Sequence, residues 1–234
     1  MSKDYSETRK EIEEFFKADD LTSEFVEETL SPSGRYTLSV FEYTTSKFSW
    51  SCSRGIVKSK LDGEVIADIK RNYSQFWFTW SLHSNQNEYL LCGEDYQGQT
   101  VVNLNEKSIV NYFPEEGYDG LGFCWVAVYP SPDNRFLAVE GCYWGCPYEL
   151  VFFDFSSPDT LPFKELARVD SLYESLGWVS NNSFKLTKEV EMESSDDISS
   201  QTQPKNEQKS LNDPTFPVKT NIIQVIFNVP DVGI

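Results

Sequence analysis

The sequence is poor in histidine, methionine and positive charge: one His, two Met and 20 Lys+Arg in 234 residues. One histidine leaves no His-rich metal site. Phosphate affinity comes from Lys and Arg neutralising the backbone, so the shortage of bases disfavours a general nucleic-acid binder. It disfavours docking on anionic membranes for the same reason. No run approaches the roughly 18 apolar residues of a membrane span. The start, MSKDYSETRKEIEEFF, is charged throughout and shows no apolar signal core. No P-loop, G-x-G-x-x-G, G-x-S-x-G or C-x-x-C string occurs, which removes the usual sequence signals for nucleotide, hydrolase and paired-thiolate chemistry.

Acids and aromatics are abundant instead. There are 37 Asp+Glu, giving a net charge of −17, and aromatics make up 15% of the chain. That much apolar surface excludes full disorder. The acids are unevenly placed: residues 1–30 hold ten against four bases, and 193–213 hold five against two. The remainder is only mildly acidic and carries nearly all the aromatics. The five cysteines (Cys52, Cys92, Cys124, Cys142, Cys146) are an odd number. With no secretory signal in view they read as reduced thiols of a cytoplasmic protein.

Residues 4–18 predict a helix, with Asp4 as cap, Glu7 as its capping-box partner, and Tyr5, Thr8, Ile12, Phe15 and Phe16 near one face. This gives an acidic N-terminal helical segment over 1–22 and a β domain over 23–234. From residue 22 the pattern changes to period two with β-branched and aromatic residues.

Four turn segments resemble one another: SPSGRY at 31–36, SNQNEY at 84–89, SPDNRF at 131–136 and the shorter SNNSF at 180–184. Their closing aromatics are 53, 47 and 48 residues apart. Ser or Asp accepts local backbone bonds, Pro presets φ, and Gly or Asn tolerates positive φ, which is hairpin chemistry. Strand-like runs precede and follow each turn. A third run follows in every unit (GIVKSKL, QTVVNLN, YELVFFDF, NIIQVIFNV). A fourth follows in the first two (EVIADIKR, SIVNYF) and is weaker in the third (PFKELARV). The chain therefore reads as all-β: four antiparallel meander repeats with a short N-terminal helix. The polar stretch 193–217 is a loop within the fourth unit with the composition of a disordered segment.

The SPDNRFLAVEG hairpin followed by YELVFFDF resembles a β-propeller blade of the WD-repeat-like kind, although no Trp-Asp dipeptide closes any strand. The resemblance implies a β-propeller-like arrangement of the four units. The same meanders could also build a two-sheet sandwich.

If the repeats are in phase, the hairpins joining second to third strands and the connections between units emerge at one end. That rim gathers Trp50, Cys52 and Arg54, the Asn72-Tyr73 connection, Asp95, Tyr96, Gln97 and Gly98, the connection 114–119, then Cys142, Tyr143, Trp144, Cys146, Tyr148 and Glu149, and the connection 170–174. Trp50, Arg54, Asp95, Tyr96, Tyr143, Trp144, Tyr148 and Glu149 are the candidate binding residues, because rim loops build sites and Trp and Tyr anchor interfaces. Cys142 and Cys146, four apart, could form half of a zinc site, but a structural zinc needs four ligands at short paired spacings. His83, beside the second turn, reads as a surface or turn histidine rather than a catalytic one. No cofactor is implied. The expected function is a non-enzymatic protein-interaction module whose partner is basic. The competing reading is an enzyme using paired carboxylates (Asp95, Glu140, Glu149, Asp154) on a small polar substrate.

Overall fold

The structure, a computed structural model, describes residues 5–47, 50–144, 147–191 and 220–230. It opens with helix α1 (Ser6–Phe15), followed by four antiparallel sheets built in chain order. The first sheet holds β1 (Thr22–Leu30), β2 (Tyr36–Thr44), β3 (Cys52–Ser59) and β4 (Val65–Arg71). The second holds β5 (Thr79–Leu82), β6 (Glu88–Cys92), β7 (Gln99–Asn103) and β8 (Ser108–Tyr112). The third holds β9 (Cys124–Pro130), β10 (Phe136–Cys142), β11 (Glu149–Asp154) and β12 (Glu165–Val169). The fourth has three strands among the described residues: β13 (Leu172–Trp178), β14 (Ser183–Glu191) and the returning β15 (Thr220–Asn228). Neighbours in each sheet are neighbours in sequence, so each unit is the expected meander. The 193–217 stretch lies outside the described residues. No helix among them is long and apolar enough to cross a membrane.

Each sheet hides its faces against the next. The first core cluster joins Leu38, Val40, Val57 and Ile69 of the first sheet to Phe76, Leu90 and Val102 at the second. The second joins Tyr89, Leu91 and Val101 to Val128, Leu137, Val151 and Phe153 of the third. The third joins Phe136, Phe152 and Val169 to Phe184, Leu186 and Val229 at the fourth. A strand shared by two interfaces is apolar on both faces, and β6 (EYLLC) is accordingly buried at all five positions. β1 borders no such interface, and eight of its nine residues are exposed.

The turns repeat with one shift. Ser31 and Ser131 open the first and third turns, and each receives a backbone bond three residues on, from Gly34 (φ 70°) and Asn134 (φ 57°), both at 2.8 Å. In the second turn the matching bond runs from Gln86 (φ 72°) to His83 at 2.9 Å. His83 therefore occupies the turn-opening position that Ser84 was expected to fill. This corrects the surface reading of the histidine. Ser31, His83 and Ser131 are all buried, because that position faces the junction of adjacent sheets. The imidazole Nδ1 accepts from Asn85 N at 3.2 Å, as a serine oxygen would, and Nε2 lies 3.0 Å from Phe155 O.

Polar bridges register the sheets. Ser33 N and Oγ donate to the fully buried Glu88 carboxylate at 2.9 and 2.6 Å. Asn134 Nδ2 donates to Leu82 O at 3.0 Å, and Asn134 Oδ1 accepts from Ser81 Oγ at 2.8 Å.

The helix is shorter than the expected 4–18. After Phe15 the backbone tightens to three-residue bonds, Lys17 N to Glu14 O and Ala18 N to Phe15 O, which end the α geometry. Asp4 lies outside the described residues, and Tyr5 precedes the first turn with no side-chain cap. Tyr5, Ile12 and Phe15 are buried. Phe16 meets Tyr43 with ring centroids 4.9 Å apart. The ion pairs Arg9–Glu94 and Glu13–Lys70 (both 2.6 Å) tie the helix to the second and first sheets.

Candidate functional site at the loop rim

Strand register puts the predicted loops at one end. Tyr43 pairs with Cys52 and Ser53 with Arg71, so the β2–β3 hairpin and the exit of β4 are neighbours. Cys92 pairs with Thr100 and Gln99 with Tyr112 in the second sheet. Gly141 pairs with Glu149 and Leu150 with Val169 in the third.

Beneath this rim lies a polar knot. Asp95 is buried, and its carboxylate accepts from Tyr5 Oη at 3.0 Å, from Gln97 N at 2.8 Å and from Asn72 Nδ2. Burial pushes its carboxyl pKa above the ordinary value, against the pull of those donors. The neighbouring Arg71 is buried too, and burial pushes its guanidinium down. Its Nη1 donates to the Gly93 and Asp95 carbonyls at 2.9 and 2.7 Å. Arg71 Nε and Asn72 Oδ1 have no hydrogen-bond partner among the described residues. Gln97 continues the knot, donating to Gly117 O at 3.1 Å and accepting from Gly122 N at 2.6 Å.

The knot explains what stands above it. Tyr96 sits between two residues whose side chains point inward and are bonded. Tyr73 follows Asn72, whose backbone N–H donates to Glu94 O at 3.1 Å. The Asn72–Asp95 bond thus clamps two loops side by side and brings their tyrosines together. Tyr73 and Tyr96 have centroids 5.5 Å apart. Trp144, from the β10–β11 hairpin, joins both at 5.7 and 5.4 Å. The tyrosines are half-buried and Trp144 is 61% exposed.

The predicted residues divide accordingly. Tyr96 and Trp144 meet in this triad. Asp95 lies under it as support. Trp50, half exposed, lines a separate cleft of about 870 Å³ with Phe15, Lys47, Cys52 and Asn72. Tyr143 is turned aside: it packs on Phe123 at 5.3 Å, and the Arg168 guanidinium lies 5.6 Å from its ring. Glu149 is ion-paired with Arg168. Tyr148 is exposed, and its carbonyl accepts from Leu172 N at 2.9 Å. Arg54 is not on a rim loop. It lies within β3 and grips Asp68 of β4 with two bonds, 2.7 and 2.6 Å, across the sheet face.

Of the four carboxylates considered for acid–base work, Asp154 pairs with Phe136 at the opposite end of the third sheet from the rim. Glu140 lies 3.4 Å from Tyr129 Oη. Cys142 faces Cys124 directly across β9–β10, and Cys146 lies outside the described residues. Among those residues no three metal-ligating side chains gather. Burial pushes the thiols of Cys52 and Cys124 up to about 11, and that of Cys92 to about 12.

Sequence reasoning put the Asn72-Tyr73 connection on the rim without choosing Tyr73 as a binding residue, and missed the knot entirely. The available signal was the Arg71-Asn72-Tyr73 string at the exit of a strand, where two polar side chains turn inward and the aromatic that follows stays at the rim.

No protein-family model matches the chain. An uncharacterized protein of Acanthamoeba polyphaga mimivirus is 43% identical over 131 residues, covering 56% of this chain and 51% of that protein. The chain thus spans about half the length of this curated relative. Among solved structures, the beta-propeller domain of Cps50 (Swd1) from Myceliophteria thermophila is similar with a TM-score of 0.40 and 13% identity, covering 65% of this chain and 45% of that one.

Proposed function

We propose that the protein is a non-enzymatic interaction module that holds a protein partner on its aromatic rim. The observation that carries this reading is the convergence of Tyr73, Tyr96 and Trp144 from three separate loops. None of the three belongs to a core cluster. Rings held together outside the core are surplus to folding, and exposed Trp and Tyr backed by a rigid base are what interface anchors are made of. The partner is basic. A chain of charge −17 attracts a cationic surface and raises its encounter rate.

The enzyme reading needs two carboxylates facing one cavity. In this structure Asp95 is bonded to three donors, Glu149 is ion-paired, and Asp154 sits at the far end of its strand.

The test is affinity capture with chemical cross-linking, comparing the wild-type chain with Tyr96→Ala/Trp144→Ala. The double variant should lose the cross-linked partner while melting at an unchanged temperature. A large fall in melting temperature would make the rings structural, and undiminished capture would remove the rim from the interface.

A further inference from the structure

The rim reading leaves open which part of a partner the triad takes. We infer that Tyr73, Tyr96 and Trp144 form a receptor for a single arginine side chain of the partner, an inference that rests on the rim reading above.

Geometry comes first. Three centroids separated by 5.4–5.7 Å define a triangle whose centre lies about 3 Å from each of them. A cation about 4 Å above that centre is about 5 Å from all three rings, within the reach of cation–π attraction. The planes are mutually tilted by 58°, 71° and 43°, an arrangement that, unlike a parallel stack, lets ring faces converge on one point as a dish. The exposure of Trp144 leaves the dish open on that side.

The chemistry favours guanidinium over ammonium. Neither Tyr73 nor Tyr96 uses its hydroxyl in a hydrogen bond among the described residues, so both phenol oxygens remain available as acceptors. A guanidinium is planar, weakly hydrated and rich in donors, and can lie on an indole while bonding both oxygens. An ammonium is compact and strongly hydrated, and gives up more water for less contact.

Elsewhere among the described residues the molecule makes the same kind of contact, mostly with arginine and once with lysine, Lys70 lying 5.5 Å from the Phe16 centroid. Arg9 lies over Tyr5 at 5.1 Å, Arg35 over Tyr36 at 5.5 Å, Arg135 over Phe136 at 5.0 Å, and Arg168 over Phe123 at 5.0 Å. Among the described residues, no arginine or lysine covers the triad. A partner's arginine completes at the rim the contact that the fold makes for itself elsewhere.

The probe is a capped pentapeptide, Gly-Gly-Arg-Gly-Gly, titrated into the full chain by calorimetry. Lysine and citrulline versions run in parallel; citrulline keeps the shape and removes the charge. Saturable binding is expected for the arginine peptide, at least tenfold weaker for citrulline, and weaker by several-fold for lysine. Trp144→Ala should weaken arginine binding at least tenfold. Tyr73→Phe/Tyr96→Phe keeps the rings and removes the acceptors. It should weaken arginine binding about threefold and largely erase the preference over lysine.

Equal binding of citrulline, equal binding of lysine, or no saturable binding by the wild type overturns the inference. If the peptide fails while Tyr96→Ala/Trp144→Ala still abolishes partner capture, the arginine assignment falls and the rim reading stands. If capture survives those substitutions, the rim reading itself has failed.

Discussion

Tyr5→Phe isolates the link between the terminal helix and the polar knot. The ring of Tyr5 is buried and meets Phe113 with centroids 4.6 Å apart, and phenylalanine keeps both features. Only the hydroxyl goes, and with it the 3.0 Å bond to Asp95. Asp95 is then left with two of its three donors, the Gln97 amide and the Asn72 side chain. A hydrogen bond to a charged group contributes about 1.5–3 kcal/mol, and removing one partner leaves the other buried and short of solvation. We therefore expect a loss of about 2 kcal/mol, or roughly 4–8 °C in melting temperature for a chain of this length. Urea melts of the wild type, Tyr5→Phe, Asp95→Asn and the double variant form a cycle in which the two substitutions should couple by more than about 0.5 kcal/mol, since they share one bond. The helix can also detach locally before the sheets unfold. In that case the melting shift shrinks, but protease should cut within residues 6–18 faster in Tyr5→Phe than in the wild type. A variant that melts like the wild type, shows no coupling and resists cutting equally would refute the account of α1 as bonded into the knot.

Two further outcomes follow from the same geometry. Burial raises the Asp95 pKa in the folded chain above its unfolded value of about 3.9, so the native state holds its proton to higher pH than the unfolded state does. Stability then falls with rising pH between those two values. The stability of the wild type relative to Asp95→Asn should decline as pH is raised from 4 and level off above the native pKa; a difference that grows with pH would reverse the sign and sink the assignment. Gly55→Ala should destabilise the protein by about 2 kcal/mol, an overpacking cost, because its Cβ would stand 2.4 Å from Phe76 Cζ in the interface between the first two sheets. A urea midpoint equal to that of the wild type would mean that the interface is looser than the contacts show.

The repeat was legible in the sequence because its signals are local. Turn residues, strand alternation and a period near 48 residues place every meander, and even the returning β15 follows from the apolar run after the polar stretch. Facts that depend on pairing between strands were not legible. Arg54 looks like a loop residue beside Trp50. It becomes a strand residue gripping Asp68 only once Ser53 is set opposite Arg71 and Ile56 opposite Asp68. His83 was displaced by a turn one residue shorter than its fellows, and one residue decides which side chain enters the junction. The triad was partly legible: Tyr96 and Trp144 stood out as rim aromatics and Tyr73 lay on a rim connection, but its meeting with the other two needed the Asn72–Asp95 bond, which spans 23 residues of sequence.

That bond also accounts for an arrangement which stability alone would not favour. A buried aspartate beside a buried arginine whose Nε has no partner among the described residues costs more than apolar residues of the same size would. The three core clusters hold the sheets without either residue. What the knot supplies is position. Asp95 and Gln97 turn inward with Tyr96 between them, and Asn72 does the same for Tyr73, so both rings are fixed at the rim by groups that contribute nothing to the apolar core. Fixing the rings in advance lowers the entropy lost when a ligand orders them. A structural role would be served by burying Tyr73, Tyr96 and Trp144. The sequence instead places an aspartate and two amides beneath them and leaves the indole in solvent, and under the rim reading proposed above this presents rings already fixed in place to a partner.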